Sequence, residues 1–257
     1  LSIQRVTSKW AKSKIMLRSD YLRQYMPPAK LFTRESLHSM LSEYGMVYVK
    51  PVSGTKGNGV IRVERTNTPA LGYRYQLGKK VMFSPTFGHL YLRLVRQKKN
   101  RKYLVQKGIH LLKHQRRRFD IRVMVQKNLR NDWEVTGIIG RLAHPGKIVT
   151  NYHSGGTPMA LERLMAEHAS PSELEAFNNR LRKLSITVAN NLQEAYPNLK
   201  ELGVDIAIDT KLHPWILEVN TCPDLYIFRK LPDQSVFQKV YRYAVAYGRV
   251  KKRSRRP

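Results

Sequence analysis

One cysteine, Cys222, is all that this 257-residue chain contains. A single thiol excludes an internal disulfide and fits a reducing compartment. No histidine lies near it in sequence, so Cys222 reads as a packed thiol and not as a nucleophile. Long apolar runs are missing too. None approaches the ~18 residues of a membrane span, and no secretory signal pattern opens the chain. The chain begins at Leu1 and not at Met, which leaves room for an upstream part. Acids are the scarcest class relative to their opposites. Eighteen Asp and Glu face 47 Lys and Arg, for a net charge of +29. That surplus argues for an anionic partner and says nothing about fold. It is uneven: residues 93–130 hold fourteen Lys or Arg and one acid, Asp120. The last ten residues, Gly248–Pro257, form a basic tail expected to be disordered. An apolar content of 42% is that of a globular chain with a real core.

In so basic a chain, the placement of the few acids is informative. The segment GVDIAIDTKLHPWILEVN, Gly203–Asn220, reads as two antiparallel strands joined at Thr210–His213. This register opposes Asp209 to Pro214 and Asp205 to Glu218. It sets Val204, Ile206 and Ile208 against Val219, Leu217 and Trp215 on an apolar face. Strand periodicity leaves Asp205, Glu218 and Asn220 on the other face. Directly opposed side chains lie about 5 Å apart, and like charges there are destabilising. A bound cation would remove the conflict, and two carboxylates with an amide oxygen suit Mg²⁺ better than zinc. The alternative is a solvated strand face with incidental acids.

A second element is KPVSGTKGNGV, Lys50–Val60. Gly54, Gly57 and Gly59 allow a tight turn that presents N–H groups to an oxyanion. Lys50 and Lys56 add charge, and Ser53 and Thr55 add hydroxyls. No Gly-Lys-Ser/Thr opens a helix here, and a strand follows instead of a helix. Walker and dinucleotide loops are thereby excluded, and a glycine-rich hairpin folding over phosphates remains. An ordinary hairpin turn is the alternative. Further along, FDIRVMVQK places Asp120 and Arg122 on one strand face. Arg122 is suited to a bidentate clamp on a phosphate or carboxylate, or to an ion pair with a neighbour. Arg141 ends the next strand. TNYHSGGT, Thr150–Thr157, is a polar loop suited to a second substrate, although His153 there also reads as an ordinary surface or core histidine.

Residues 1–26 read as helical and basic. Thr33 is a helix N-cap, and Ser170-Pro171-Ser172-Glu173 is a capping box with proline at the first helical position. The helix that follows carries Leu174, Phe177, Leu181, Leu184, Val188 and Leu192 at core spacing. Strands are expected at 46–50, 60–65, 73–77, 80–83, 103–106, 120–126 and 133–142. Helices are expected at 86–97 and 233–247. The order is α+β and mostly antiparallel.

These motifs, in this order, resemble the ATP-grasp superfamily and within it the YheC/YheD group, linked by name to endospore coats. The resemblance runs through KP-x-x-G-x-x-G-x-G-V, VQKGI, DIR, GRLA…IVTNYHSGG and GVDIAID…ILEVNTCPDL. It implies two α+β subdomains clasping ATP, while the separate N-terminal domain usual in the superfamily is absent from these 257 residues. A basic helical segment at 1–30 would precede a lid subdomain at 31–108, a large subdomain at 109–247 and the tail. Lys50 would contact phosphate and the adenine edge, and Ser53, Gly54, Thr55, Lys56, Gly57 and Gly59 would cover the phosphates. Gln106, Lys107 and Ile109 would form the adenine hinge. Arg122 and Arg141 would bind the transferring phosphoryl group. Asn151, His153, Gly155 and Gly156 would line the substrate side. Asp205, Glu218 and Asn220 would hold one or two Mg²⁺ ions, with Mn²⁺ as a substitute.

The implied activity is an ATP-dependent carboxylate–amine ligase acting through an acyl phosphate, in the cytoplasm and with a spore association. The charge adds a polyanionic acceptor or carrier. A phosphotransferase acting on a polyanion, or a polyanion-binding coat protein with a vestigial site, are the rival readings. Relatives often carry an acid just after the hinge for the ribose, and KGIHLLKHQRRR, Lys107–Arg118, has none.

Overall fold

In a computed structural model that describes residues 2–54 and 57–251, the chain forms two antiparallel sheets that face each other. In chain order, the elements begin with helices α1 (Lys9–Met16) and α2 (Asp20–Arg23), strand β1 (Ala29–Leu31), helix α3 (Arg34–Tyr44) and strands β2 (Met46–Pro51), β3 (Ile61–Arg65), β4 (Tyr73–Leu77) and β5 (Lys80–Ser84). Helix α4 (Phe87–Lys98) leads to β6 (Tyr103–Lys107), β7 (Lys113–His114), β8 (Arg117–Lys127), β9 (Trp133–Leu142) and β10 (Thr157–Met159). Helices α5 (Leu161–Met165) and α6 (Pro171–Ala195), strands β11 (Glu201–Ile208) and β12 (Pro214–Asn220), and helix α7 (Gln234–Ala246) complete the chain.

The smaller sheet runs β1-β6-β2-β3-β4-β5. One face buries Val47, Val49, Ile61, Val63 and Tyr75 against Leu37, Met40 and Leu41 of α3 and Leu90 and Leu94 of α4. Thr33 and Thr86 cap these two helices through their side chains, Thr33 in a reciprocal capping box with Ser36. Because strand side chains alternate, Tyr48, Arg62, Glu64, Arg74, Gln76 and Gln106 are left on the opposite face.

The larger sheet runs β10-β9-β8-β11-β12, with β7 added to β8. Phe119, Ile121, Val123 and Val125 of β8 pack with Val204, Ile206 and Ile208 of β11 against Phe177, Leu181, Leu184, Val188 and Leu192 of α6. The Ser170 capping box and Pro171 start α6 as the sequence pattern requires. Each such side chain contributes roughly 1.5–3 kcal/mol by leaving water. The other face of β8 changes character along its length. Met124 lies beneath α7 with Ile139, Phe228 and Val240, whereas Asp120 lines the cavity shared with the smaller sheet and Arg122 lines a second one beside it. Among the described residues, no helix is long and apolar enough to cross a membrane.

Four expectations need correction. The segment before Pro27 is helical only in α1 and α2. Ahead of them the chain has no regular structure and is held by Val6 N–H, which donates to Thr221 Oγ1 at 2.8 Å, and by Arg5, which pairs at 2.7 Å with the fully buried Glu201. Cys222 is exposed and not packed, and its Sγ takes a hydrogen bond from Arg249 at 2.9 Å. The basic stretch 93–130 is not one patch. Arg93 and Arg96 ride on α4, on the outer side of the smaller sheet, while Arg117 and Arg118 belong to β8 of the larger one. The tail expectation falls mostly outside the described residues, from 252 onward.

The fourth correction concerns the hairpin. Asp205 does oppose Glu218, as the sequence suggests. Beyond that pair the register slips by one, so Ile206 faces Ile216 and Ile208 faces Pro214, and Leu217 is the extra residue of a β-bulge. The slip turns Ile216 into the core and puts Leu217 in the cleft. Asp209 does not pair with Pro214. Its carboxylate accepts from the Lys211 and His213 backbone N–H groups and from Trp215 Nε1, which closes the turn.

Candidate active site

One cavity opens between the sheets, a second lies on the larger subdomain beside it, and they share a wall. The first is lined by Tyr48, Lys50, Gln106, Lys107, Ile109 and Leu217, among others. The second is lined by Arg122, Tyr152, His153, Asn220, Cys222 and Asp224, among others. Arg141, Asn151, Asp205 and Glu218 belong to both.

The shared wall is built by strand register. Arg141 on β9 is directly opposite Asp120 on β8, and Arg122 on β8 is opposite Asp205 on β11, which is opposite Glu218 on β12. The side chains pair along these lines. Arg141 donates Nε to Asp120 Oδ1 at 2.8 Å and Nη2 to Oδ2 at 2.6 Å. Arg122 grips Asp205 with Nε at 2.5 Å and Nη2 at 3.1 Å, and Arg141 Nη2 reaches Asp205 Oδ2 at 3.1 Å. Asp120 and Arg122 therefore each pair across strands and not with each other. Burial opposes ionisation of Asp205, but Arg122 and Arg141 outweigh it and hold the carboxyl below its ordinary range. The like-charge conflict between Asp205 and Glu218 is thus relieved by guanidinium on one side. On the other side it is relieved by Lys9, whose Nζ lies 3.1 Å from Glu218 Oε1.

Lys50 is the buried cation of the first cavity. Its Nζ donates to Gln106 Oε1 at 2.7 Å and to the Leu217 carbonyl at 3.0 Å. Burial lowers its pKa to about 8, against the pull of Glu218. Lys107 extends over the rings of Tyr44 and Trp215, and Ile109 is buried behind it. The glycine loop lies over this cavity. Gly57 lines it with a positive φ of 72°, and a Cβ there would meet Asn151 Nδ2 at 3.0 Å. Ser53 and Gly54 are exposed, and the Gly54 carbonyl accepts from Lys9 Nζ at 2.5 Å. Gly59 packs toward Tyr103 and Pro51 and not into the cavity. Thr55 and Lys56 lie outside the described residues.

Asn151 and His153 stand in the walls where the sequence placed a second substrate. His153 is exposed, with Nε2 3.6 Å from Asp224 Oδ2. Gly155 and Gly156 are not in the walls. They shape the loop: a Cβ on Gly156 would lie 2.0 Å from the Thr150 carbonyl oxygen.

Asp205, Glu218 and Asn220 are neighbours on this wall. The Asn220 amide, assigned so that both its ends are satisfied, donates to Glu218 Oε1 at 3.0 Å and accepts from Arg122 Nη2 at 3.3 Å. An ionised carboxylate offers about four acceptor sites. The two guanidiniums use three of those on Asp205, leaving one on Oδ1. With Glu218, which is partly exposed, that is a set of hard oxygen donors of the kind a divalent cation takes.

Sequence reasoning missed Lys9, Tyr48, Leu217 and Thr150, whose hydroxyl donates to Asp120 Oδ2 at 2.6 Å. Only the opposed charges of Asp120 and Arg141 on adjacent strands carried a signal.

Comparison with known proteins places this architecture. The Endospore coat-associated protein YheD of Bacillus subtilis (strain 168) is 25% identical over 226 residues, covering 86% of this chain and 49% of YheD. The chain thus spans about half the length of that relative. Among solved structures, the D-cycloserine synthetase DcsG superposes with a TM-score of 0.57 at 11% identity, over 93% of this chain and 69% of that one. The ATP-grasp ligase PsnB, complexed with minimal precursor, Mg and ADP, gives 0.53 at 12% identity, over 94% and 59%. These likenesses establish the fold, which is the ATP-grasp fold of two α+β subdomains expected from the motifs. The family described as YheC/D like ATP-grasp matches residues 3–250. This chain belongs to the YheC/D-like ATP-grasp family.

Proposed function

We propose that the chain is an ATP- and Mg²⁺-dependent carboxylate–amine ligase that works through an acyl phosphate. The observation that carries this reading is the shared wall. A cavity under a glycine loop and a second cavity meet at Arg141, Asn151, Asp205 and Glu218. A γ-phosphate seated at that wall is open to attack from the second cavity. The fold is shared with DcsG, a synthetase, and with PsnB, a ligase holding Mg and ADP.

In this reading, Lys50 binds phosphate, the 53–59 loop covers it, and Gln106, Lys107 and Ile109 hold the adenine edge. Asp205, Glu218 and Asn220 would hold Mg²⁺, which would supply charge neutralisation to the phosphates. A substrate carboxylate oxygen attacks the γ-phosphorus, the bond to ADP breaks, and Arg122 and Arg141 bind the transferring group. An amine then attacks the acyl carbon, phosphate leaves, and the amine loses a proton. Catalysis here is positioning and charge stabilisation, which phosphoryl transfer mainly requires. Asn151 and His153 face the acceptor. The charge of +29 supports an anionic acceptor or carrier.

The test is an acceptor screen read by ADP release, with hydroxylamine present. A hydroxamate of the carboxylate substrate and an amide product support the ligase. A stable phosphorylated product without hydroxamate would transfer the reading to a phosphotransferase. No turnover with any acceptor, together with no nucleotide binding, would leave a vestigial site.

A further inference from the structure

We propose that Arg62, Arg74 and Arg118, with the Tyr48 hydroxyl, form an anion subsite at the end of the cleft opposite the glycine loop, and that it takes a phosphate-class oxyanion. The placement follows from register. Tyr48, Arg62 and Gln76 stand side by side across β2, β3 and β4 on the cleft face. Tyr48 also lines the first cavity. Glu64 and Arg74 form the next row, farther from Lys50 and the loop. Gln76 Nε2 donates to the Gly146 carbonyl at 2.7 Å, which ties this part of the lid to the larger sheet. Arg118 stands at the start of β8, on the larger subdomain, and its electrostatic neighbours are Arg62, Tyr48, Glu64 and Arg74.

The cluster is charge-unbalanced. Arg62 Nη2 and Arg74 Nη1 each bond Glu64 at 2.6 Å, so one carboxylate serves two guanidiniums. Arg62 is nine-tenths buried, yet its Nε has no partner. Among the described residues, nothing accepts a hydrogen bond from the Arg118 guanidinium. Three guanidiniums against Glu64 leave a surplus of two positive charges, the charge of a phosphate dianion. A buried N–H without an acceptor is costly, and an oxyanion would supply several acceptors at once. The arginines also sit on both subdomains. Without an anion they repel across the cleft, and with one they draw lid and body together. Burial, with Arg62 next, lowers the Arg118 pKa, which agrees with this crowding.

The ligand has two possible sources: a phosphate on the nucleoside end of a bound nucleotide, or a phosphate of another molecule. The first of these sources rests on the function proposed above. Calorimetry on the intact chain tests both. A non-hydrolysable MgATP analogue is titrated first, which reads the nucleotide site independently. Inorganic phosphate is then titrated into the saturated complex, where the triphosphate end is filled. Phosphate binding to the parent is expected, weakened about tenfold or more in the Arg74→Gln/Arg118→Gln double variant, with analogue affinity changed less than about threefold. Arg118→Lys should lose less than Arg118→Gln. Circular dichroism checks that each variant folds. Tighter binding of a 2′-phosphorylated ATP than of ATP, lost in the double variant, assigns the subsite to the nucleotide. Equal binding of the two with phosphate still bound assigns it to another molecule. If the analogue fails to bind, phosphate is titrated into the free chain and the variant comparison still decides. Absence of phosphate binding in the parent, or equal binding in the double variant, overturns the proposal.

Discussion

Lys50 reaches across the cleft, and its Nζ donates to the main-chain carbonyl of Leu217 at 3.0 Å. Leu217 is the bulge residue of β12, so its carbonyl is released from the strand ladder and turned toward the cavity. One irregularity in a strand thus supplies both an acceptor for the buried cation and an apolar wall for the nucleotide cavity.

This pair gives a pH prediction. Burial holds the Lys50 pKa at about 8, below its ordinary 10.5. Between those values the folded chain binds fewer protons than the unfolded one, so this group's contribution to stability rises with pH across that window. Phosphate affinity moves the other way as the charge is lost. Calorimetry from pH 7 to 9.5 should show analogue affinity falling above about pH 8. Lys50→Gln should weaken binding by about ten- to a hundredfold at pH 7 and flatten most of that dependence, since a hydrogen bond to a charged group is worth roughly 1.5–3 kcal/mol. Full pH dependence in the variant would remove Lys50 from the phosphate site.

Glu218→Gln separates metal from fold. Glu218 is partly exposed, and Gln keeps its shape and an acceptor oxygen beside Lys9. The melting temperature without ligand should shift little. The added stabilisation by nucleotide with Mg²⁺, which reflects binding to the native state alone, should disappear along with turnover. A normal Mg²⁺-dependent shift in the variant would sink the metal assignment.

The two arginines are distinguished by what they leave behind. Arg141→Ala leaves Asp120 without a guanidinium and brings Asp205 down to one, so denaturant unfolding should show a loss of about 3–5 kcal/mol. Arg122→Ala leaves Asp205 with Arg141 and should cost less. In kinetics at low temperature both should lower kcat more than they raise the KM for ATP, as expected of contacts made mainly in the transition state. A pure rise in KM would make them ground-state nucleotide contacts.

Gly156→Ala probes the acceptor loop. The added methyl would lie 2.0 Å from the Thr150 carbonyl oxygen, which is backbone and cannot yield without opening the turn. Acceptor-dependent turnover should fall by about tenfold or more while analogue affinity stays within about threefold. Equal loss of nucleotide binding would show that the loop serves the nucleotide side.

Much of the secondary structure and several cleft-lining residues were legible in the sequence, whereas the short strands β1, β7 and β10 and helix α5 were not. Alternation placed Asp205 opposite Glu218 and put Asp120 and Arg122 on one face, because a two-residue period is a local property. Capping residues started α3 and α6 for the same reason, since an orphan N–H is satisfied within a few residues. Tertiary structure alone decided the partners. The sequence had no means to show that the N-terminal segment would anchor on Glu201, that Lys9 would span Glu218 and Gly54, or that Cys222 would face solvent. It also left open whether Asp120 would choose Arg122 or Arg141. Such choices depend on which side chains the packing brings within hydrogen-bond reach, often across more than a hundred residues, and burial makes each one costly to leave unmet. The bulge at Leu217 belongs to the same class: the cleft's need for an acceptor and the core's need for Ile216 overrode the regular pairing that the pattern alone predicts.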